Sequence, residues 1–211
     1  MKEITTATMM RIVDIMGDTI IKNEIPFCEL DSAAGDGDFG MSVAKGFKVL
    51  KTEWANLDGT DIGTFLKSCG MIITEHCGGA SGPIWGSAFR SAGKFADGKT
   101  VLTLTEFAGL MQSAVDGIQK RGGAKLGDKT LLDALIPTTE SLKESAKAGL
   151  SIEEAFALGA KAARDGAEKT KEYAATKGRA SYVGDRSLHY PDAGAMALGI
   201  IFTVIAGNLS A

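Results

Sequence analysis

Apolar residues return every three or four positions along most of the chain, and each such stretch predicts a helix with one buried face. Met9, Ile12, Val13, Met16 and Ile20 mark the first, Val43, Phe47, Leu50 and Trp54 the second, and Ile62, Phe65, Leu66, Cys69, Ile72 and Ile73 the third. A fourth starts at Ser81, with Pro83 in its first turn and Trp85, Phe89 and Ala92 inward, and a fifth carries Phe107, Leu110, Met111, Val115 and Ile118. Leu131, Leu132 and Leu135 open a sixth, which Pro137 should kink or shift. Ser151 and Glu154 form a capping box for the seventh, which turns polar from Arg164 to Lys177. The eighth, Ala193 to Gly207, is uncharged and largely apolar; a bilayer crossing needs about 20 residues, so this shorter run reads as a buried core helix. Only Thr100 to Thr105 hints at a strand. The expected class is all-α, about eight helices in a single domain over residues 1–211, without repeats or a low-complexity linker.

What separates these helices is glycine, 27 of 211 residues against a usual ~7%. Most gather in four loops that also carry polar residues, and close approach of a ligand to the backbone is a sufficient reason for that. The remaining composition mainly excludes. With 23 basic and 26 acidic residues the net charge is −3, and 7% aromatics leave no basic stripe with stacking rings, so nucleic acid is not an expected partner. Cys28, Cys69 and Cys77 make neither an even disulfide framework nor a CxxC pair, which points to a reducing, cytoplasmic setting. Arg11, Asp14 and Asp18 interrupt the first apolar stretch, so no secretory signal is expected there. Met9, Met10, Met16 and Met111 read as core. His76 adjoins an apolar face and reads as capping or packing, while His189 lies in a loop where it could meet a ligand. No Ser/His/Asp or Cys/His arrangement follows from their spacing.

The first loop, Asp31 to Gly40, puts Asp31, Asp36 and Asp38 within eight residues just before a helix. Like charges that close repel unless a cation joins them, and an all-oxygen set suits Mg²⁺ better than zinc. The alternative is a solvated acidic turn with Asp38 as helix N-cap. Gly35 to Gly40 fits GxGxxG literally, but no strand precedes it, and an EF-hand fails because Met41 and Phe47 stand where Gly and Glu are needed. The second loop, Gly78 to Pro83, sets small residues before a helix, where free N–H groups attract anions. The third, Gly122 to Thr130, comes near a Walker A loop, but Asp128 intrudes between Gly127 and Lys129 and a helix precedes it. The fourth, Gly178 to Ser187, supplies Arg179 and Arg186, two guanidinium groups able to grip phosphate. Together the loops read as a phosphate site.

The strings GDGDFG (35–40), GGASGP (78–83), GDKTLLDAL (127–135) and GRASYVGDRS (178–187), in this order, resemble the nucleotide-binding L subunit family of dihydroxyacetone kinase. The resemblance covers essentially the whole chain. It implies about eight antiparallel helices in a barrel, with ADP or ATP held by loops at one end. By residue, it implies two Mg²⁺ ions on Asp31, Asp36 and Asp38, and a nucleotide surrounded by Phe39, Gly40, Met41, Ser42, Ala80, Ser81, Gly122, Leu131, Arg179, Asp192, Ala193 and Gly194. Arg179 is its implied catalytic residue, stabilising charge on the transferring phosphoryl group. Phe39 and Ser42 depart from the family's usual His and Asn, and Asp192-Ala193-Gly194 from its Asp-Pro-Gly. The implied partners are a substrate-binding K subunit and a phosphohistidine-bearing M subunit of the phosphotransferase system. A transcription regulator and a second copy of the chain are compatible further partners, and no membrane is implied. Two other readings are weighed beside it: a nucleotide-loaded module that signals to a regulator, and a metal-dependent phosphohydrolase acting alone.

Overall fold

The computed structural model describes residues 2–209, and nine α-helices carry most of them: α1 Thr6–Lys22, α2 Glu24–Ser32, α3 Phe39–Thr52, α4 Ile62–His76, α5 Ser81–Phe95, α6 Leu104–Gly122, α7 Leu132–Lys147, α8 Ile152–Lys169 and α9 Ala193–Leu209. Eight match the periodic stretches. The addition is α2, which has Pro26 in its first turn and only Phe27 buried, so no apolar stripe announces it. The details also differ from expectation. Trp54 leaves α3 for a 3₁₀ turn, Trp54–Asn56, where its ring stands edge-on to Phe65 with centroids 5.7 Å apart. The polar tail of α8 does not continue to Lys177: the helix ends at Lys169 and a 3₁₀ turn, Thr170–Glu172, leads into loop. Pro137 sits within α7, leaving the Asp133 carbonyl without its helical N–H donor. The strand-like stretch shrinks to β2, Val101–Leu102, paired antiparallel with β1, Ile4–Thr5.

Short connections reverse the chain after most long helices, and the packing runs from α1 to α3, on through each successive helix to α9, and from α9 back to α1. The apolar faces therefore meet inside a ring. Phe47 meets Trp85 and Phe89 edge-on, and Phe107 stacks on Phe156 at 5.0 Å. Although α9 is the most apolar helix, none of the helices among the described residues is long and apolar enough to cross a membrane.

The two ends of the ring differ in how its helices begin. At one end, α1, α4, α6 and α8 are capped by Thr5, Asp61, Thr103 and Ser151, the last two in reciprocal boxes with Glu106 and Glu154. The bonds Thr6 N–H to Thr100 carbonyl and Ile62 N–H to Lys99 carbonyl tie this end together. The last turn of α9 lies there too, since Arg11 Nη2 donates to the Asn208 carbonyl at 2.8 Å. At the opposite end α3, α5 and α7 start from Asp38, Ala80 and Leu131, none of which caps its helix with a side chain, and of the helices starting there only α9 has a side-chain cap among the described residues, from Asp192.

At this second end α2 crosses α3 so closely that a Cβ on Gly40 would lie 1.9 Å from the Glu24 carbonyl oxygen and 2.8 Å from the Cys28 nitrogen. Backbone cannot yield as a side chain can. Gly40→Ala is therefore expected to lower stability by about 1–3 kcal/mol, measured as a lower urea midpoint with unchanged slope. Equal midpoints would mean that α2 shifts freely.

Candidate functional site

Between the starts of α3, α5, α7 and α9 lies a cleft of about 220 Å³. Asp31 reaches it from the last turn of α2, Asp36 from the loop, and Asp38 from the residue before α3. One oxygen from each of the three lies within 4.8 Å of the other two. The Asp31 Oδ2 accepts the Gly37 N–H at 2.9 Å, a bond made possible by the positive φ of Gly37. Burial raises the Asp31 pKa and the neighbouring Asp36 adds to this, while the N–H groups of Gly37, Phe39 and Asp38 oppose the rise. A Cβ at Gly35 would sit 2.2 Å from Asp31 Oδ1 and push that carboxylate from its present place. Asp38 makes no cap bond to α3, so the capping alternative gives way to three carboxylates facing one point. An anionic, all-oxygen cradle fits a hard divalent cation such as Mg²⁺.

The other wall fits an anion. Gly78, Gly79, Ala80 and Ser81 bring the start of α5 to the cleft, and Leu131, Asp192, Ala193 and Gly194 bring the starts of α7 and α9. Arg179 overhangs from the segment between α8 and α9, and its guanidinium pairs with the Asp36 carboxylate. Phe39 and Ser42 line the floor. The Phe39 ring also packs on the core, tilted 41° against Phe27 at 6.1 Å, so the apolar residue here serves as packing.

Three residues expected around the ligand do not line this cleft. Gly40 is buried against α2, the Met41 N–H is directed at Cys28 Sγ, and Gly122 ends α6, where an added Cβ would meet the Ile84 side chain. Of the two arginines in the fourth loop, Arg186 is outside the lining, beyond a reversal at Gly184 (φ 55°, ψ −129°). His76 and His189 are outside it as well. All three cysteines are free, and burial pushes the thiols of Cys69 and Cys77 up to about 12 and 11, which leaves them unreactive.

Sequence reasoning missed Lys129, Thr130 and Lys177, all of which line the cleft. It also missed the polar lattice beneath. Asp133 accepts the N–H groups of Gly127 and Thr130 and the Tyr173 hydroxyl, each at 2.7 Å. Asp128 accepts the Thr176 hydroxyl at 2.8 Å. The spacing of Asp133 three residues after Thr130 was the available signal, since an acidic residue there can reach back to the Thr130 N–H as in a capping box.

Asp192 starts α9, its Oδ1 accepting the Ala195 N–H at 2.7 Å. Burial pushes its carboxyl up to about 7, with Asp133 and Asp31 adding to the rise while the Ala195 N–H and the Lys129 ammonium oppose it. A carboxyl raised above its unfolded value of about 3.9 favours folding most below that pH. The contribution is lost as pH rises through about 7. Asp192→Asn keeps the Oδ1 acceptor but does not titrate. The melting temperature of the ligand-free native chain minus that of the variant is expected to fall between pH 5 and pH 8; a constant difference would show that Asp192 is ionised throughout.

The fold and the site define a helical domain that gathers three carboxylates, an arginine and several helix starts at one end. A family model described as the DAK2 domain matches residues 33–207. The ADP-binding subunit DhaL of the PEP-dependent dihydroxyacetone kinase of Escherichia coli is 36% identical over 177 residues, 84% of each chain. The corresponding DhaL subunit of kinase 2 of Listeria innocua is 36% identical over 200 residues, 94% of this chain and 92% of that one. The crystal structure of the dihydroxyacetone kinase from C. freundii in complex with AMP-PNP and Mg²⁺ superposes with a TM-score of 0.77 at 26% identity, covering 96% of this chain and 34% of that one. This chain thus spans about a third of that kinase's length. It belongs to the DAK2-domain family.

Proposed function

We propose that this chain, residues 1–211 as one domain, is the ADP/ATP-carrying subunit of a multi-subunit kinase for dihydroxyacetone or a related short keto-sugar. The observation that carries this is the convergence of Asp31, Asp36 and Asp38 at the mouth of a cleft walled by helix starts and overhung by Arg179. The DhaL relatives, which this chain matches over most of its length, support it. In this reading the three aspartates hold Mg²⁺, which supplies charge neutralisation at the phosphates. Ser42, Ala80, Ser81 and the Asp192–Gly194 turn surround the nucleotide, and Arg179 places its fork where charge develops on the moving phosphoryl group.

Within the cleft, the acidic and cationic groups account for phosphate and metal, which leaves the sugar to a separate K subunit. Tyr182, 87% exposed, and Met41 stand at this end of the molecule as apolar surface for such a partner to cover. The phosphoryl donor is a phosphohistidine on an M subunit, and the setting is the cytoplasm.

The test is to purify the chain without added nucleotide, release its small molecules by denaturation and identify them by mass spectrometry. ADP or ATP is expected. Phosphoryl transfer to dihydroxyacetone should then require both partner subunits. A chain that neither carries nor binds nucleotide, or that releases phosphate from ATP by itself at the full rate, overturns the reading.

A further inference from the structure

Lys129 is 2% exposed, yet among the described residues its ammonium meets no carboxylate at hydrogen-bond distance. It donates instead to four backbone carbonyls: Thr170 at 2.7 Å, Ser187 at 2.7 Å, Tyr190 at 2.8 Å and Tyr173 at 3.1 Å. An ammonium has three protons, so four acceptors share them, and every acceptor is an oxygen that cannot donate in return. A shell of carbonyl oxygens that replaces water is also how a protein holds a dehydrated monovalent cation such as K⁺.

The lysine reaches this point from the opposite loop with a left-handed backbone, φ 60°, a conformation that an L side chain adopts only under constraint. All four carbonyls belong to the segment 170–190, which carries Lys177, Gly178, Arg179 and Ala180 into the cleft. Asp128 and Asp133 fasten the same segment only at Thr176 and Tyr173. Beyond Arg179, the Ala175 N–H to Ser187 Oγ bond at 2.9 Å and the His189 N–H to Lys171 carbonyl bond at 3.0 Å stay within the segment, and the ammonium, which takes the Ser187 and Tyr190 carbonyls, ties it to the α6–α7 loop.

We propose that Lys129 is a tethered monovalent cation: a positioning residue whose ammonium gathers the carbonyls of residues 170–190 and so sets Arg179 against Asp36. Its role as a positioner of a nucleotide site rests on the function proposed above, whereas the cation ring itself does not.

Lys129→Ala leaves the ring with room for a free cation. Without nucleotide, trypsin should cut the variant at Lys177, Arg179 or Arg186 at least tenfold faster than the native chain in choline chloride. Ammonium or potassium chloride at equal ionic strength should restore resistance, with no effect on the native chain. With Mg²⁺ present, ADP affinity of the variant should fall at least tenfold in choline and recover at least threefold in ammonium.

Equal cleavage of variant and native chain, or a loss that no monovalent cation restores, overturns the proposal. Lys129→Met, which keeps the volume without the charge, is the second variant. It should remain folded by circular dichroism, show the exposed loop and resist rescue; if neither variant folds, the ammonium is a general folding element and the positioning role falls. A native chain that binds no ADP would overturn the proposed function and leave the proteolysis result standing.

Discussion

Replacing Arg179 by methionine is expected to slow phosphoryl transfer by the assembled kinase about a thousandfold, the order supplied by an arginine at a transferring phosphoryl group. Gly178, with φ 65° and ψ −168°, turns the chain so that Arg179 faces the carboxylates, where its guanidinium pairs with Asp36. An arginine held there by a single carboxylate still has N–H donors for a phosphate oxygen. Arg179→Lys keeps the charge but loses the planar fork, so it should recover only part of the rate. Steady-state kinetics with saturating partners should show the loss in kcat, with a much smaller change in ADP affinity. Turnover of the methionine variant within threefold of the native rate would reduce Arg179 to a counter-ion of Asp36.

Asp36→Asn should weaken ADP binding in the presence of Mg²⁺ by at least tenfold, about 1.4 kcal/mol. Asp36 is the most exposed of the three carboxylates and the one already shared with Arg179, so the substitution changes charge without opening a cavity. Calorimetry with Mg²⁺ and again with a chelator isolates the metal-dependent part. The native chain should lose most of its affinity on chelation, and the variant little more than it has already lost. An unchanged Kd for the variant with Mg²⁺ present would reject the metal assignment.

The long helices were legible because each buries one stripe, and a stripe with period 3.6 is written in the sequence. By contrast α2 buries a single residue, Phe27, and a helix held by one side chain and a backbone crossing leaves no period to find. The convergence of the three carboxylates was legible because they fall within eight residues of one loop. Their grouping was right, although Asp31 projects from a helix end rather than from the loop. Gly40 shows the opposite case, since a glycine kept for contact with another helix looks in sequence like one kept for a ligand. Arg179 and Arg186 sit in the same string, and only the reversal at Gly184 separates their fates. Lys129 was least legible of all, because its partners lie 41 to 61 residues away and are main-chain atoms without sequence identity.

The start of α1 and the last turn of α9, the outermost helices of the described residues, lie beside the caps of Thr5 and Asp61, at the end remote from the cleft. A tag, a linker or a whole domain joined at either terminus would therefore trail away from the site and leave its mouth open. The same fold can accordingly serve as a free subunit that docks face-on with a partner, or as one module of a longer polypeptide whose tether passes behind it. For the experimenter, surface immobilisation through either terminus presents the nucleotide end to solution.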